Sequence, residues 1–419
     1  MKTIKFTGMA LLLLTLLNAQ GEPPRTDINP ALIYYQAFLL DAKPLSDADR
    51  NYLESKAGRE QKLPERFGPL LAGYDDRFKL LREAAKQKAP CDWGIDMNGP
   101  GTFLPHLRFI KAAAVASQPR AVWDLQHGNQ AGARDDLLAA FVLGRTASQD
   151  GTVIGALVRY ACHSIVYTAV ARNFGQFSPE TLQQLADESD AVPVQGTMAA
   201  AIMTEKSIHV NWLLNKIRKI QQANPGDDAM VLAAIPKDEE LGVLGEYDNE
   251  GKQQKNDFWQ GAFTAAGGTS DGVIKLIQES EPLYLRVVEI MNLPLPEYND
   301  QVQKFAEEIQ KSQNPFVKLL FVDPTKPRVK EFRVQAWQAM VRAAVEYKLH
   351  GKTGLKSVTD PLGNGPFTFQ RFVFEGVDRG FELKSAYAGL PYPCALIFVE
   401  KEGPAFNTDG PHIGEAVKP

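Results

Sequence analysis

Residues 104–142 read LPHLRFIKAAAVASQPRAVWDLQHGNQAGARDDLLAAFV, and this stretch sets the fold class. Leu107, Ile110, Ala114, Ala121 and Leu125 recur at helical spacing and so share one side of an α-helix. Pro119 lies inside that run. Proline has no N–H to donate and crowds the preceding turn, so a kink or a split is expected there. His127-Gly128-Asn129 makes a turn. Leu137, Leu138, Phe141 and Val142 then form the apolar stripe of a second helix. Two such stripes joined by a short turn predict a helical hairpin.

The helical pattern extends in both directions, from Asn29 to about Asp323. Upstream, Pro30 suits a first helical turn, and Ala31 to Leu40 is a short apolar helix. Ser46 with Asp47 and Asp49 is a capped start, and Gly73 to Lys88 carries Phe78, Leu81 and Ala85 at helical spacing. Downstream, helices are expected over Val153 to Phe174, from Ser178-Pro179-Glu180 onward, and over Gly196 to Gln222. Two more follow, from Thr269 or Ser270 to about Met291 with a break at Pro282, and from Pro294 to Ile309. Asn224 to Lys255 is polar and acidic and is expected to be a mobile insertion. The 104–142 hairpin is similar to one tetratricopeptide hairpin. The pattern does not recur at a fixed period, so an array of that family is not implied.

After Asp323-Pro324 the character changes. Phe332, Ala336, Ala339, Met340, Ala343 and Tyr347 mark one long amphipathic helix ending near His350-Gly351. Phe367 to Phe374, Phe381 to Tyr387 and Ala395 to Val399 read as three short strands, with turns at Gly376 to Gly380 and Gly389 to Pro393. The expected fold is mainly α. An irregular array of αα-hairpins occupies residues 26–323. A small C-terminal α+β module, one helix plus a three-stranded antiparallel sheet, occupies 326–402. A frayed polar tail covers 403–419.

The segment Ala343 to Ser385 carries a resemblance. Its helix ends in Tyr347-Lys348-Leu349-His350-Gly351, followed by Asp360-Pro361-Leu362-Gly363, an aromatic strand from Pro366-Phe367, and Gly380-Phe381-Glu382-Leu383-Lys384-Ser385. This resembles the C-terminal part of uncharacterised families of exported bacterial proteins. It also resembles the helix-plus-sheet module of type II secretion pseudopilins, which carry a similar Asp-Pro-x-Gly turn before their last hairpin. Asp-Pro sets such a turn and Gly permits a positive φ. The likeness covers about a tenth of the chain. A pseudopilin's module follows directly on its N-terminal apolar helix, whereas about three hundred residues intervene here, so filament assembly is not implied.

The first residues give an address. Lys2 and Lys5 precede an apolar run from Phe6 to Leu17, and Ala19 is a small residue at a cleavage point before Gln20, Gly21, Glu22, Pro23 and Pro24. That order is a secretory signal peptide. The run falls short of the roughly 20 apolar residues a spanning helix needs. Residues 1–19 are thus expected to be removed, leaving a mature chain with no transmembrane segment, in the periplasm or outside the cell. No Cys follows the run, so a lipid anchor is not expected.

The net charge is −4, and −6 without Lys2 and Lys5, which argues against nucleic-acid binding. From Pro236 to Gln310 there are 6 basic and 15 acidic residues, and from Lys326 to Lys356 there are 8 basic and 2 acidic. Solvated helix faces that attract each other explain this better than a basic surface for an anionic envelope component. Among three cysteines, Cys162 lies in an apolar helix and reads as core. Cys91 and Cys394 have loop or strand-edge settings, and whether they pair stays open.

The standard catalytic and nucleotide motifs HExxH, GxSxG, P-loop and GxGxxG are absent, and no cofactor or metal site is expected. Gly267-Gly268-Thr269-Ser270 reads as a helix cap. Glu205 and His209 stand four apart on one helix and share a face. A carboxylate on a partly apolar stripe suits general acid–base work, but pairing with an arginine such as Arg159 or Arg172 outweighs it. The loop Cys91 to Gly101 combines Asp92, Trp93 and Asp96 with flexible glycines, and His106 follows. Asp92, Asp96 and Asn98 alternate as in a calcium loop, but the downstream bidentate Glu is missing. The expectation is that Trp93 pins this loop to the core and that Asp92 or Asp96 faces a cleft seen by His106. The candidates for chemistry are therefore Asp92, Asp96, His106, Glu205 and His209. The leading reading is a non-catalytic, exported helical protein that binds an envelope protein or polymer or supports the envelope. An envelope hydrolase using those residues is the alternative, and an accessory part of a secretion or pilus-like apparatus is a third.

Overall fold

The computed structural model describes residues 26–40, 46–54, 62–192, 196–242, 244, 258–321, 325–387 and 393–401. The expected signal peptide, the 403–419 tail and the 245–257 part of the expected insertion lie outside these.

Capping side chains open the helices where the sequence places them. Asn29 accepts from Ala31 N at the start of α1 (Pro30–Leu39), and Ser46 from Asp49 N at the start of α2 (Asp47–Glu54). After α3 (Gly68–Ala72) and α4 (Asp75–Ala85) comes α5 (Pro105–Gln126), which runs unbroken through Pro119. Asn129 caps α6 (Gln130–Thr146), which closes the expected hairpin against α5. Thr152 caps α7 (Val153–Arg172) and Ser178 caps α8 (Pro179–Ala191). In each case a short side-chain oxygen takes an N–H that has no partner inside the helix.

One buried ion cluster ties the hairpin to the preceding helices. Asp136 of α6 is fully buried and accepts from Arg82 Nε and Arg120 Nε, both at 2.7 Å. Arg120 also reaches Asp75 at 2.8 Å and the Leu71 carbonyl at 2.7 Å. The two guanidinium groups offset the cost of burying the Asp136 carboxylate, and α3, α4, α5 and α6 are held at one point.

Next come α9 (Met198–Lys206), a π-helical turn (Ser207–Asn211) and α10 (Trp212–Ala223), continuous with one another. The first part of the expected insertion is in fact folded. It forms α11 (Asp228–Ala234) and a 3-10 turn, with Val231, Ile235 and Leu241 buried. Those three apolar residues, spaced through a polar segment, supply enough burial to order it. The remaining helices before the C-terminal module are α12 (Phe258–Ala265), α13 (Ser270–Gln278), α14 (Glu281–Met291), α15 (Leu295–Lys311) and α16 (Pro315–Leu320). Thr269 accepts from Gly272 N at 3.1 Å, which is the cap expected there.

The C-terminal module has the expected helix and three strands, but the turn read over Gly376 to Gly380 is only Glu375-Gly376, because Val377, Asp378 and Gly380 pair with the first strand as the start of the second. Helix α17 (Thr325–Ser357) breaks at Gly351, whose φ of 63° leaves the helical region. Strands β1 (Thr368–Phe374), β2 (Val377–Lys384) and β3 (Ala395–Val399) form an antiparallel meander in that order. Phe381 pairs with Arg371 on one side and Phe398 on the other, and its ring meets Tyr347 of α17 at 4.9 Å. The Asp360–Gly363 turn differs in one respect. Gly363 does not take a positive φ; a Cβ there would lie 2.8 Å from Asp360 Oδ2, so glycine is required for closeness. That oxygen accepts from Ser385 Oγ at 2.7 Å and ties the turn to the end of β2.

The main buried core joins residues from α1 to β3, and two smaller clusters lie beside it, one around Phe67 and one at Phe372 and Ile397. Phe174, just after α7, meets Phe381 and Phe398 edge-on at 5.6 and 5.3 Å. Lys348 of α17 donates to the carbonyls of Phe174 and Phe177. Arg342 of α17 pairs with Asp187 and Asp190 of α8 at 2.7 and 3.0 Å, so its partners are not the acidic 236–310 segment. Helix α7 is long and apolar enough to cross a membrane by length and composition. Half of that stretch is buried, and it carries Arg159 and Arg172 into the core.

Candidate functional site

Glu205 lies in the last turn of α9 and His209 within the π turn that follows. A π turn holds one more residue than an α turn, bulges the helix, and recurs at functional sites. Here the two side chains meet, with His209 Nε2 3.0 Å from Glu205 Oε2. The other carboxylate oxygen, Oε1, accepts the backbone N–H of Val153 at 2.9 Å. Val153 is the first residue of α7, so Glu205 closes the positive end of that helix from outside it. Thr152 completes the cap, its Oγ1 accepting from Gly155 N at 3.0 Å. Glu205 is thus held by a helix terminus and an imidazole, where an arginine partner was expected.

The pair stands on the wall of a cavity of about 360 Å³ between α7, α9, the π turn, α14 and the segment before α17. Ile154, Leu157, Ile202, Val287, Met291 and Phe321 make most of the wall. Tyr284 joins the lining, and its hydroxyl is 3.4 Å from the Leu320 carbonyl. Burial pushes the Tyr284 phenol up, and Glu205 adds to the shift. Burial also pushes the His209 imidazole below its ordinary value, against the pull of Glu205. A neutral His209 that carries its proton on Nε2, the nitrogen facing Glu205, keeps a lone pair on Nδ1. The site therefore offers hydrogen-bond acceptors inside a largely apolar enclosure.

A second polar pair lies deeper. His106, in the first turn of α5, is fully buried, and neither ring nitrogen has a hydrogen-bond partner among the described residues. Its Nε2 is 3.8 Å from Asp150 Oδ2, which is likewise without one. Asp150 Oδ1 accepts from Thr152 N and Thr152 Oγ1, both at 2.9 Å. Burial pushes His106 down to about 4 and pushes Asp150 up. Glu205 adds to the Asp150 shift, which links the two pairs through the 150–153 turn.

Trp93 anchors the 91–101 loop as expected. Its indole N–H donates to the Thr146 carbonyl at 3.0 Å, and its ring stacks on Tyr34, Phe38 and His106. The expectation for its neighbours fails. Asp92 and Asp96 are exposed, whereas His106 is sealed beneath the indole, so no cleft joins them. Asp92 Oδ1 accepts from Gly94 N at 2.9 Å, the turn-forming use of an aspartate. Among the described residues no three of His, Cys, Asp and Glu lie close enough together to hold a metal ion. The three cysteines are free and buried, so Cys91 and Cys394 do not pair.

The five candidates thus separate into an exposed pair, a sealed histidine and a cavity pair. Asp150 and the π turn were missed. Asp150 was legible in Asp150-Gly151-Thr152, a turn followed by a helix cap. The π turn has no such signal, because one residue of excess leaves the apolar spacing nearly unchanged. No known family model matches the chain, nor does any curated protein or solved structure.

Proposed function

We propose that this chain is an exported binding protein and that its ligand enters the cavity beside Glu205 and His209. The observation that carries this reading is the π turn, which sets one acceptor pair on a cavity wall that is otherwise apolar except for Tyr284. Cavities of this size, with few convergent polar groups, are where small ligands bind. The ligand class is an apolar body ending in a hydrogen-bond donor, an amine or a hydroxyl. The basic, apolar and small residues at 2–19 support the exported setting.

Calorimetric titration with decylamine and decanol tests it. Both bind wild type, and His209→Gln weakens them at least tenfold. Ile202→Trp, which fills the cavity, abolishes binding while far-UV circular dichroism stays unchanged. Equal binding to wild type and Ile202→Trp, or none to wild type, overturns the assignment. The 3.0 Å Glu205–His209 contact favours one second reading, a hydrolase with His209 as base, since a carboxylate that orients an imidazole is the usual arrangement. A p-nitrophenyl ester panel separates the two. The binding reading expects the same background rate from wild type and His209→Gln.

A further inference from the structure

A second concavity, of about 430 Å³, opens between α2, α3, α4 and α5. Helix α5 supplies its long wall through two rows at four-residue spacing. One row is Arg108, Ala112 and Ala116; the other is Lys111, Val115 and Pro119. Side chains four apart stand one above another on a helix, so each row begins with a cation and continues apolar. From the cations to Pro119 the helix rises about 12 to 16 Å at 1.5 Å per residue. The alanines keep the wall low, and Leu53 and Leu71 face it from α2 and α3.

The charge in this groove is of one sign. Arg50, Arg77, Arg108 and Lys111 line it, and among the described residues no carboxylate does. Arg77 is fixed at the end of α1, where it donates to the carbonyls of Ala37 and Leu40. Phe38 of α1 stacks on Phe109 at 5.3 Å, and the Arg108 guanidinium lies 4.5 Å from the Phe109 ring centre. Arg77 and Arg108 therefore gather at the same end of the groove as Lys111. Among the described residues no carboxylate pairs with any of these three. Arg50 is the exception, 3.4 Å from Asp47 on the exposed face of α2.

We propose that this groove binds an ionised fatty acid, its carboxylate among Arg77, Arg108 and Lys111 and its chain along Ala112, Val115, Ala116 and Pro119. A guanidinium matches a carboxylate in shape as well as charge. The apolar length beyond the cations suits one alkyl chain. This site is separate from the cavity at Glu205 and His209, and neither depends on the other.

The test is calorimetric titration of the full chain with laurate below its micellar concentration, with dodecanol, inorganic phosphate and phosphatidylglycerol vesicles in parallel. Laurate binds wild type with one-site stoichiometry, and in the Ile202→Trp background, where the other cavity is filled, dodecanol binds at least tenfold more weakly than laurate. Arg108→Glu combined with Lys111→Glu weakens laurate at least tenfold. Ala112→Trp, an exposed position that a large side chain does not disturb, weakens it similarly by blocking the chain path. Ile202→Trp leaves laurate binding unchanged, so failure here and failure of the cavity assignment are read separately. The proposal is overturned if laurate does not bind, if both groove variants bind it like wild type, or if phosphate or the vesicles bind as tightly as laurate.

Discussion

Trp93 and His106 show how one residue decides the state of another. The indole covers the imidazole at a centroid distance of 4.7 Å, and the ring beneath it has no solvent-exposed surface. The unfolded chain takes up a proton on this histidine at its ordinary value of about 6.5, whereas the folded chain resists until about 4. Below pH 6.5 the unfolded state therefore binds more protons, and the contribution to stability falls as pH drops toward 4. Asp150 works in the opposite sense, since burial raises its value, so comparison with a variant isolates the histidine. His106→Leu should shrink the difference in urea unfolding free energy between pH 7.5 and pH 4.5 by about 2 kcal/mol. An unchanged difference would mean that the ring is reached by water.

At the scale of elements, the π turn separates a helix that only packs from one that presents a site. Deleting Ser207 removes one residue from it and restores an α path between α9 and α10. Each α residue turns about 100°, so Glu205 and His209, then three apart, stand about 60° from each other around the axis, and their 3.0 Å contact on the cavity wall is lost while the flanking helices keep their places. The expected result is unchanged helicity by circular dichroism and at least a tenfold loss of decylamine affinity. Most elements were legible because an apolar period and a capping side chain act locally, as at Ser46, Thr152, Ser178 and Thr269. The candidate site was less so. Glu205 and His209 were visible as a pair, but their enclosure needs α7 and α14, which sequence spacing does not bring together. Arg77 and Arg108, far apart in sequence, likewise line one groove only once α4 and α5 are folded beside α1. Asp92 and Asp96 misled because an aspartate next to glycine serves a turn as readily as a reaction.

Across the whole molecule, the C-terminal sheet is joined to the helical array through backbone as well as side chains. Gly175 N donates to the Val399 carbonyl at 2.8 Å, which continues the edge of β3 onto the end of α7. A Cβ at Gly175 would sit 2.2 Å from the Glu400 carbonyl oxygen, so the strand is held at a distance only glycine allows. Gly175→Ala should destabilise the chain by about 1 to 3 kcal/mol through forced displacement. Gly261→Ala on α12, where the added methyl meets nothing within 4 Å, should stabilise it by about 0.5 to 1 kcal/mol. Urea unfolding followed by far-UV circular dichroism and by tryptophan emission checks both. With helices and sheet sharing the main core, the two signals should report the same midpoint; a separate transition for the sheet would contradict that sharing.

The three buried thiols give this architecture a clock. Cys91 lies beside the start of α1, Cys162 at the middle of α7 and Cys394 at the start of β3, and burial pushes each thiol up to about 12. Only the thiolate reacts, and these thiols neither ionise nor meet solvent while the fold is closed. Their alkylation rates in native buffer then time three separate openings: the loop lifting from α1, the array parting, and the strand leaving its neighbour. In an oxidising compartment the same burial imposes an order of events, since a chain that folds before an oxidant arrives keeps all three sulfurs reduced.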